Sequence, residues 1–183
     1  MLVGAVAGCN TTPVGQDFRY SADMPNALVA LAMFDPTAST SINFMPVDPA
    51  TCRDRLIRMG TGYSVGFGHM WRGVQRLERR MIELPPGSYV IRTAQYSAQS
   101  PIVYLEEATL GFTVEAGDVV NLGEMAFVDG SIGYIGNTEV QLDEFLTQYP
   151  GVTVRPEQIE PFMTTFTTDG GDDRIAGCGF PEQ

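Results

Sequence analysis

Short apolar runs, most of them alternating with polar or small residues, recur along the chain at the spacing of antiparallel strands. The alternation is clear over residues 42–46, 63–68, 89–93 and 110–114, and residues 27–34 form a continuous apolar run. Successive side chains of a strand point to opposite faces of the sheet, so this alternation predicts strands with one buried face. Many short strands separated by turns are typical of two sheets packed face to face.

Two reversals punctuate these runs. Residues 69–80 are ambiguous, because Val74, Leu77 and Met81 have helical spacing. Residues 77–84 nevertheless fit better as a strand that enters the Pro85-Pro86-Gly87 turn. Ala116-Gly117-Asp118 joins residues 110–114 to residues 119–122, and this pattern predicts an antiparallel hairpin.

The chain changes to a helical period near its C-terminal end. A helix is predicted over residues 140–149, because Pro150-Gly151 follows it as a stop and one face carries Leu142, Phe145, Leu146 and Tyr149. A second short helical turn is predicted over residues 156–166, with a proline at its first position. The expected fold is mainly β: an antiparallel β-sandwich with one or two short C-terminal helices.

Size and charge limit the function. The 183 residues suffice for one core of ordinary size, and the predicted domain covers residues 26–183. All eleven cations are arginine, the formal net charge is −11, and the isoelectric point is near 4.3. Such a chain lacks the clustered cations that nucleic-acid phosphates require, so we expect no nucleic-acid partner.

The cations are concentrated in one stretch. Residues 52–80 hold seven arginines against two acids, and four of the seven lie within nine residues: Arg72, Arg76, Arg79 and Arg80. One interpretation is a basic hairpin that complements acidic surface of the same domain, with each guanidinium paired to a carboxylate from the region after Ile82. The other is a docking patch for lipid phosphates or an acidic envelope partner. We favour the first.

The N-terminus carries the most specific signal. Val6-Ala7-Gly8-Cys9 resembles the lipobox of bacterial lipoproteins, in which small residues precede a cysteine that receives a diacylglycerol thioether. The resemblance implies a partial signal peptide over residues 1–8, lipidation on Cys9, and a tether over residues 9–25. Asn10 rather than aspartate follows the cysteine, which implies sorting to the outer membrane, facing the periplasm. The alternative is an ordinary N-terminal strand with an incidental cysteine.

That lipobox is preceded by eight residues without a basic region, so we expect either a translation start further upstream or a truncated leader. Two cysteines then remain, Cys52 and Cys178. An even pair in an oxidising compartment favours a disulfide between them, and two free thiols are the alternative. Neither cysteine has the neighbours of a zinc site, and no metal or cofactor is expected.

Catalytic motifs are weak. Gly62-Tyr63-Ser64-Val65-Gly66 has the letters of a nucleophile elbow, but Ser64 lies in an alternating strand pattern and the sole histidine, His69, follows too closely. The acidic residues 169–173 lack the spacing of a calcium loop. Glu106-Glu107 would point to opposite faces of a strand and could not share a substrate.

Two further phrases carry a family resemblance. Glu83-Leu84-Pro85-Pro86-Gly87-Ser88-Tyr89 resembles the leucine-proline-glycine-x-tyrosine turn of carboxypeptidase-regulatory and transthyretin-like β-sandwiches. Residues 112–123 resemble a hairpin of uncharacterised proteobacterial lipoproteins, in which tyrosine often stands where Asn121 is here. The resemblance covers residues 77 to about 128 and implies an envelope lipoprotein with an immunoglobulin- or transthyretin-like sandwich. It implies no catalytic residue.

The expected function is therefore a membrane-anchored envelope lipoprotein with a non-enzymatic binding or structural domain. Its partners would be the membrane, through the lipid anchor, and a candidate envelope protein. Two alternatives stay open. Nine methionines and ten phenylalanines suggest a periplasmic carrier of an apolar ligand, and the Ser64 motif suggests, more weakly, a hydrolase.

Overall fold

The computed structural model describes residues 13–34, 40–50, 62–67, 77–95, 102–104, 109–128, 131–136, 139–153, 162–164, 167–169 and 172–177. Within these ranges the structure is built almost entirely from strands. The elements, in chain order, are β1 (Ala27–Phe34), β2 (Thr40–Val47), β3 (Tyr63–Phe67), β4 (Leu77–Leu84), β5 (Gly87–Gln95), β6 (Ile102–Tyr104), β7 (Thr109–Val114), β8 (Val119–Val128), β9 (Ser131–Gly136), α1 (Glu139–Gln148), β10 (Phe162–Thr164), β11 (Thr167–Asp169) and β12 (Asp172–Gly177).

The strands form two main sheets. A four-stranded sheet has the order β4-β1-β8-β9, and a six-stranded sheet has the order β10-β7-β5-β2-β3, with β6 also paired to β5. β11 and β12 form a separate two-stranded pair. The predicted mainly β sandwich is confirmed. One detail differs from an antiparallel sandwich, because β1 pairs with β8 in parallel and with β4 antiparallel.

A single apolar core lies between the two main sheets. From the four-stranded sheet it takes alternate residues of β1 together with Ile82, Leu84, Val120, Leu122 and Met125, and from the six-stranded sheet mainly aromatic and branched side chains. Tyr89 stacks on Phe112 with ring centroids 5.5 Å apart, and the Tyr89 hydroxyl donates to the Pro85 carbonyl at 2.6 Å. The predicted alternation of buried and outward positions is thus the alternation that builds this core.

The predicted hairpin at Ala116-Gly117-Asp118 is wrong. β7 lies in the six-stranded sheet and β8 in the four-stranded sheet, so this turn carries the chain from one sheet to the other. The Pro85-Pro86-Gly87 reversal between β4 and β5 does the same. At each turn, the strand before it and the strand after it direct their apolar faces into the same core from opposite sides. A hairpin within one sheet would produce the same alternation of apolar and polar residues, so the sequence does not distinguish the two arrangements.

A second apolar cluster covers the outer face of the four-stranded sheet. The segment of residues 13–26, here called the N-terminal strap, and the end of α1 pack over β1, which is why β1 is apolar on both faces. The cluster comprises Tyr20, Leu28, Ala30, Ala32, Met81, Val119, Tyr149 and Val152, with Val14, Phe18, Met24, Leu77 and Leu146 partly buried against it. The tether predicted over residues 9–25 is therefore packed on the domain from Val14 onward.

The C-terminal part of the chain also differs from expectation. α1 confirms the first predicted helix within one residue at each end. The second helical turn, predicted over residues 156–166, is wrong where the structure describes it, because Phe162–Thr164 is a strand paired with β7. Pairing with a sheet edge satisfies the backbone groups that an isolated helical turn would leave to solvent.

Candidate functional site

The N-terminal strap joins three parts of the fold. The backbone N–H of Val14 donates to the carbonyl of Met81 on β4 at 2.9 Å. Further along the strap, the N–H of Tyr20 donates to the carbonyl of Gly151 at 3.0 Å, and Tyr20 forms an isolated parallel bridge with Val152. The strap thus runs from β4 across the outer face of the sheet to the turn after α1.

Tyr20 is the anchor of the strap. Its ring is buried, and its hydroxyl lies 2.5 Å from the carbonyl oxygen of Asn26 and 3.1 Å from that of Asp118. Burial, together with the negative charges of Asp118 and Glu83, raises the pKa of the Tyr20 hydroxyl to about 12, although a backbone hydrogen bond from Leu28 lowers it. The group is therefore held neutral, as a donor, over the whole physiological range.

This shift makes the strap sensitive to alkaline pH. The unfolded chain releases the Tyr20 proton near pH 10 and the folded chain near pH 12, so the native state binds more protons between these values. We expect the unfolding free energy to be unaffected below pH 10 and to fall as the pH rises from 10 to 12. Urea unfolding across this range measures it, with Tyr20→Phe as the control. The variant should be less stable at pH 8 and should show a smaller alkaline loss, and an equal loss would contradict the assignment to Tyr20.

Close backbone approach fixes the strap at two glycines. A Cβ added to Gly151 would lie 2.2 Å from the carbonyl oxygen of Phe18, and one added to Gly117 would lie 2.2 Å from that of Ala22. Both contacts are with backbone of the strap, which cannot swing aside as a flexible side chain can. The strap therefore fits against the two turns only because these positions are glycine.

Two of the four predicted patch arginines lie in the described part of the chain, on β4. Arg79 pairs with Glu144 of α1, and Arg80 pairs with Glu78 of its own strand and also donates to the Arg79 carbonyl at 3.3 Å. Glu144 comes from the region after Ile82, as expected for an internal complement, whereas Glu78 does not. Arg72 and Arg76 lie outside the described residues.

The Arg79–Glu144 pair links α1 to the edge of the sheet. Glu144 is about half exposed, so we expect a small interaction, of about 0.2–1 kcal/mol, that weakens as salt is added. A double-mutant cycle with Arg79→Ala and Glu144→Ala, followed by urea unfolding at low and high salt, measures it. The neighbouring exposed Asp143 supplies the control, since Asp143→Ala should show no coupling to Arg79. Equal coupling for both acids would mean that the pair has no specific role.

The remaining candidates divide between strand positions and undescribed ones. Ser64 lies within β3, opposite Asn43 of β2, rather than on the strand-to-helix turn of a nucleophile elbow. Cys9, Cys52, Cys178 and His69 all lie outside the described residues, and so does the predicted Cys52–Cys178 disulfide. The same holds for Glu106-Glu107.

The acidic residues 169–173, which lack the spacing of a calcium loop, fall on the last two strands that the structure describes. Asp169 ends β11 and Asp172 begins β12, so the described part of this stretch is a strand pair. Across the described ranges, no three histidine, cysteine or acidic residues are grouped so that they could hold a metal ion. No described helix is long and apolar enough to cross a membrane.

Sequence reasoning missed the strap as a packed element. Its apolar residues, Val14, Phe18, Tyr20 and Met24, are separated by mostly polar residues and a glycine and are flanked by two prolines, which made the segment resemble a linker. These apolar residues were the available signal, because a tether exposed to solvent is not expected to contain two aromatic residues and a methionine.

Comparison of the chain with models of protein families, with curated proteins and with solved structures found no match.

Proposed function

We propose that this chain is a bacterial envelope lipoprotein, anchored through lipidated Cys9, whose β-sandwich is a non-enzymatic binding or structural module in the periplasm. The observation that carries the proposal is the position of the lipobox-like residues 6–9 directly before the strap, whose first described backbone contact is made by Val14. An anchor at Cys9 leaves the packed domain intact, because the segment between Cys9 and Val14 is short and mostly polar.

The spacing determines how close the module would sit to the bilayer. Five residue steps separate Cys9 from Val14, and an extended chain spans at most about 3.5 Å per residue. The contact between Val14 and β4 would therefore lie within about 17 Å of the lipidated cysteine. β4 and the start of the strap would form the membrane-proximal side of the module.

The lipid, rather than the arginines, supplies membrane affinity in this proposal. Arg79 and Arg80 stand on the membrane-proximal strand, yet each has a carboxylate neighbour in the same chain. A paired guanidinium gains little from lipid phosphates, and two acyl chains suffice for stable anchoring. Outer-membrane sorting, which rests on Asn10, and an envelope protein partner stay predictions.

The alternatives have less support in the described residues. Met33, Phe44, Phe112 and Met125 lie in the central core between the sheets, so packing alone explains these four side chains without an apolar ligand. The strand position of Ser64 removes the geometric reason for a hydrolase.

Cysteine substitution tests the anchor. The chain is expressed from its native locus with radiolabelled palmitate, and Cys9→Ser is compared with Cys52→Ser and Cys178→Ser as matched controls. We expect labelling and membrane retention to be lost in Cys9→Ser alone. Retention of Cys9→Ser in the membrane fraction, or equal labelling of all three variants, would contradict the proposal.

A further inference from the structure

β4 is an edge strand among the described strands, because it pairs with β1 and stands at the end of the order β4-β1-β8-β9. In an antiparallel ladder, alternate residues direct their backbone N–H and C=O groups toward the partner strand or away from it. The Met81 carbonyl accepts from Val14 of the strap, so Met81 is one of the residues whose groups point away from β1. Arg79 and Glu83 share its parity and direct their backbone groups outward as well.

The outward backbone groups of Met81 are covered from within the chain. The carbonyl accepts the Val14 N–H at 2.9 Å. The hydroxyl of Tyr149, which follows α1, lies near the Met81 N–H: burial raises the pKa of this hydroxyl, and Arg80 and the Met81 N–H lower it. The next outward carbonyl along the strand, that of Arg79, accepts from the guanidinium of Arg80. Occupied groups of this kind prevent an exposed edge from pairing with another strand.

The outward residues of β4 are also complementary to themselves. When β4 is placed antiparallel to a second β4 with Met81 opposite Met81, Arg79 of each copy falls opposite Glu83 of the other. This register puts outward residues opposite outward residues, as hydrogen-bonded pairing requires, and it places two opposite-charge pairs about a two-fold axis. Shifting one strand by four residues in one direction puts Arg79 opposite Arg79, and in the other direction it puts Glu83 opposite Glu83.

We propose that the β4 edge is a pairing surface for a second copy of this chain, and that the N-terminal strap and Tyr149 guard it. While the strap and Tyr149 both contact Met81, the β4 edge cannot pair with another strand. When either is displaced, two copies pair through β4 with Met81 on the two-fold axis and Arg79 facing Glu83. This inference does not depend on the lipid anchor, since the guard is made by residues of the packed domain.

Removing single backbone contacts tests the guard in the full chain. Val14→Pro removes the N–H that reaches Met81, and Val14→Ala keeps it as a matched control. Tyr149→Phe removes the hydroxyl that meets the Met81 N–H and keeps the ring. Sedimentation equilibrium should show that the parent chain and Val14→Ala are monomeric. Val14→Pro should dimerise at least ~10-fold more tightly than the parent chain, and Tyr149→Phe should show a smaller gain in dimer affinity.

Charge exchange identifies the surface. In the Val14→Pro background, Glu83→Arg should weaken the dimer by about tenfold, because arginine then faces arginine twice, and adding Arg79→Glu should restore it. A folded Val14→Pro variant that stays monomeric, or a dimer that is indifferent to Glu83→Arg, would overturn the proposal. If Val14→Pro does not fold, Tyr149→Phe decides instead, and a monomer at every concentration would overturn it.

Discussion

A Gly117→Ala variant is expected to lose about 2–5 kcal/mol of unfolding free energy. Gly117 has a φ of +84°, a conformation that costs an L-residue with a side chain about 1–2 kcal/mol. The added Cβ would also lie 2.2 Å from the backbone oxygen of Ala22, so the strap must move away from the turn. Overpacking of this kind adds a further 1–3 kcal/mol or so. Urea unfolding monitored by circular dichroism measures the loss.

Gly66→Ala is the matched control. Gly66 is an exposed residue of β3, which is an edge strand among the described strands. A Cβ added to Gly66 would meet no atom within 4 Å. We expect its stability to stay within about 0.5 kcal/mol of the parent chain, since alanine also has fewer unfolded conformations than glycine. Equal losses at the two glycines would mean that the contact between the turn and the strap is not what requires Gly117.

Removing the strap should have the largest effect of all. A chain of residues 26–183, the domain boundary predicted from sequence, loses a fully buried Tyr20 together with the partly buried Val14, Phe18 and Met24. Burial of one large apolar side chain contributes about 1.5–3 kcal/mol, so the sum is of order 5 kcal/mol or more. A typical domain has a total stability of about 5–15 kcal/mol, so we expect this chain to be largely unfolded or aggregated.

The comparison chain begins at residue 13. It keeps the strap and should unfold at the same temperature as the full chain, by circular dichroism under identical conditions. Two chains that melt alike would show that residues 13–25 are dispensable, as a tether would be, and would contradict the packed strap.

The sequence predicted the strands well because a half-buried strand imposes its period of two on the residues that form it. Val65 and Phe67 alternate with Gly66 in sequence and are buried on either side of this exposed residue, and the stop at Pro150-Gly151 ends α1 where expected. The pairing of strands was not predictable in the same way. β7 and β8 each present one apolar face, and the four residues between them fit a turn within one sheet or a passage between two sheets.

The candidate site was predictable in part. The lipobox-like residues are local in sequence, so a short motif suffices to propose the anchor at Cys9. The strap depends on contacts over long sequence separations, such as Val14 with Met81 and Tyr20 with Gly151, which no local pattern encodes. The same holds for Arg79, whose carboxylate partner Glu144 lies on a helix 65 residues further along the chain.

The mass of the mature protein tests the central claim most directly. Protein is extracted from the membranes of its own source cells and its N-terminal fragment is analysed by mass spectrometry. We expect a mature chain that begins at Cys9 and carries a thioether-linked diacylglycerol and an acylated amine. A mature chain that begins elsewhere, or that begins at Cys9 without lipid, would contradict it.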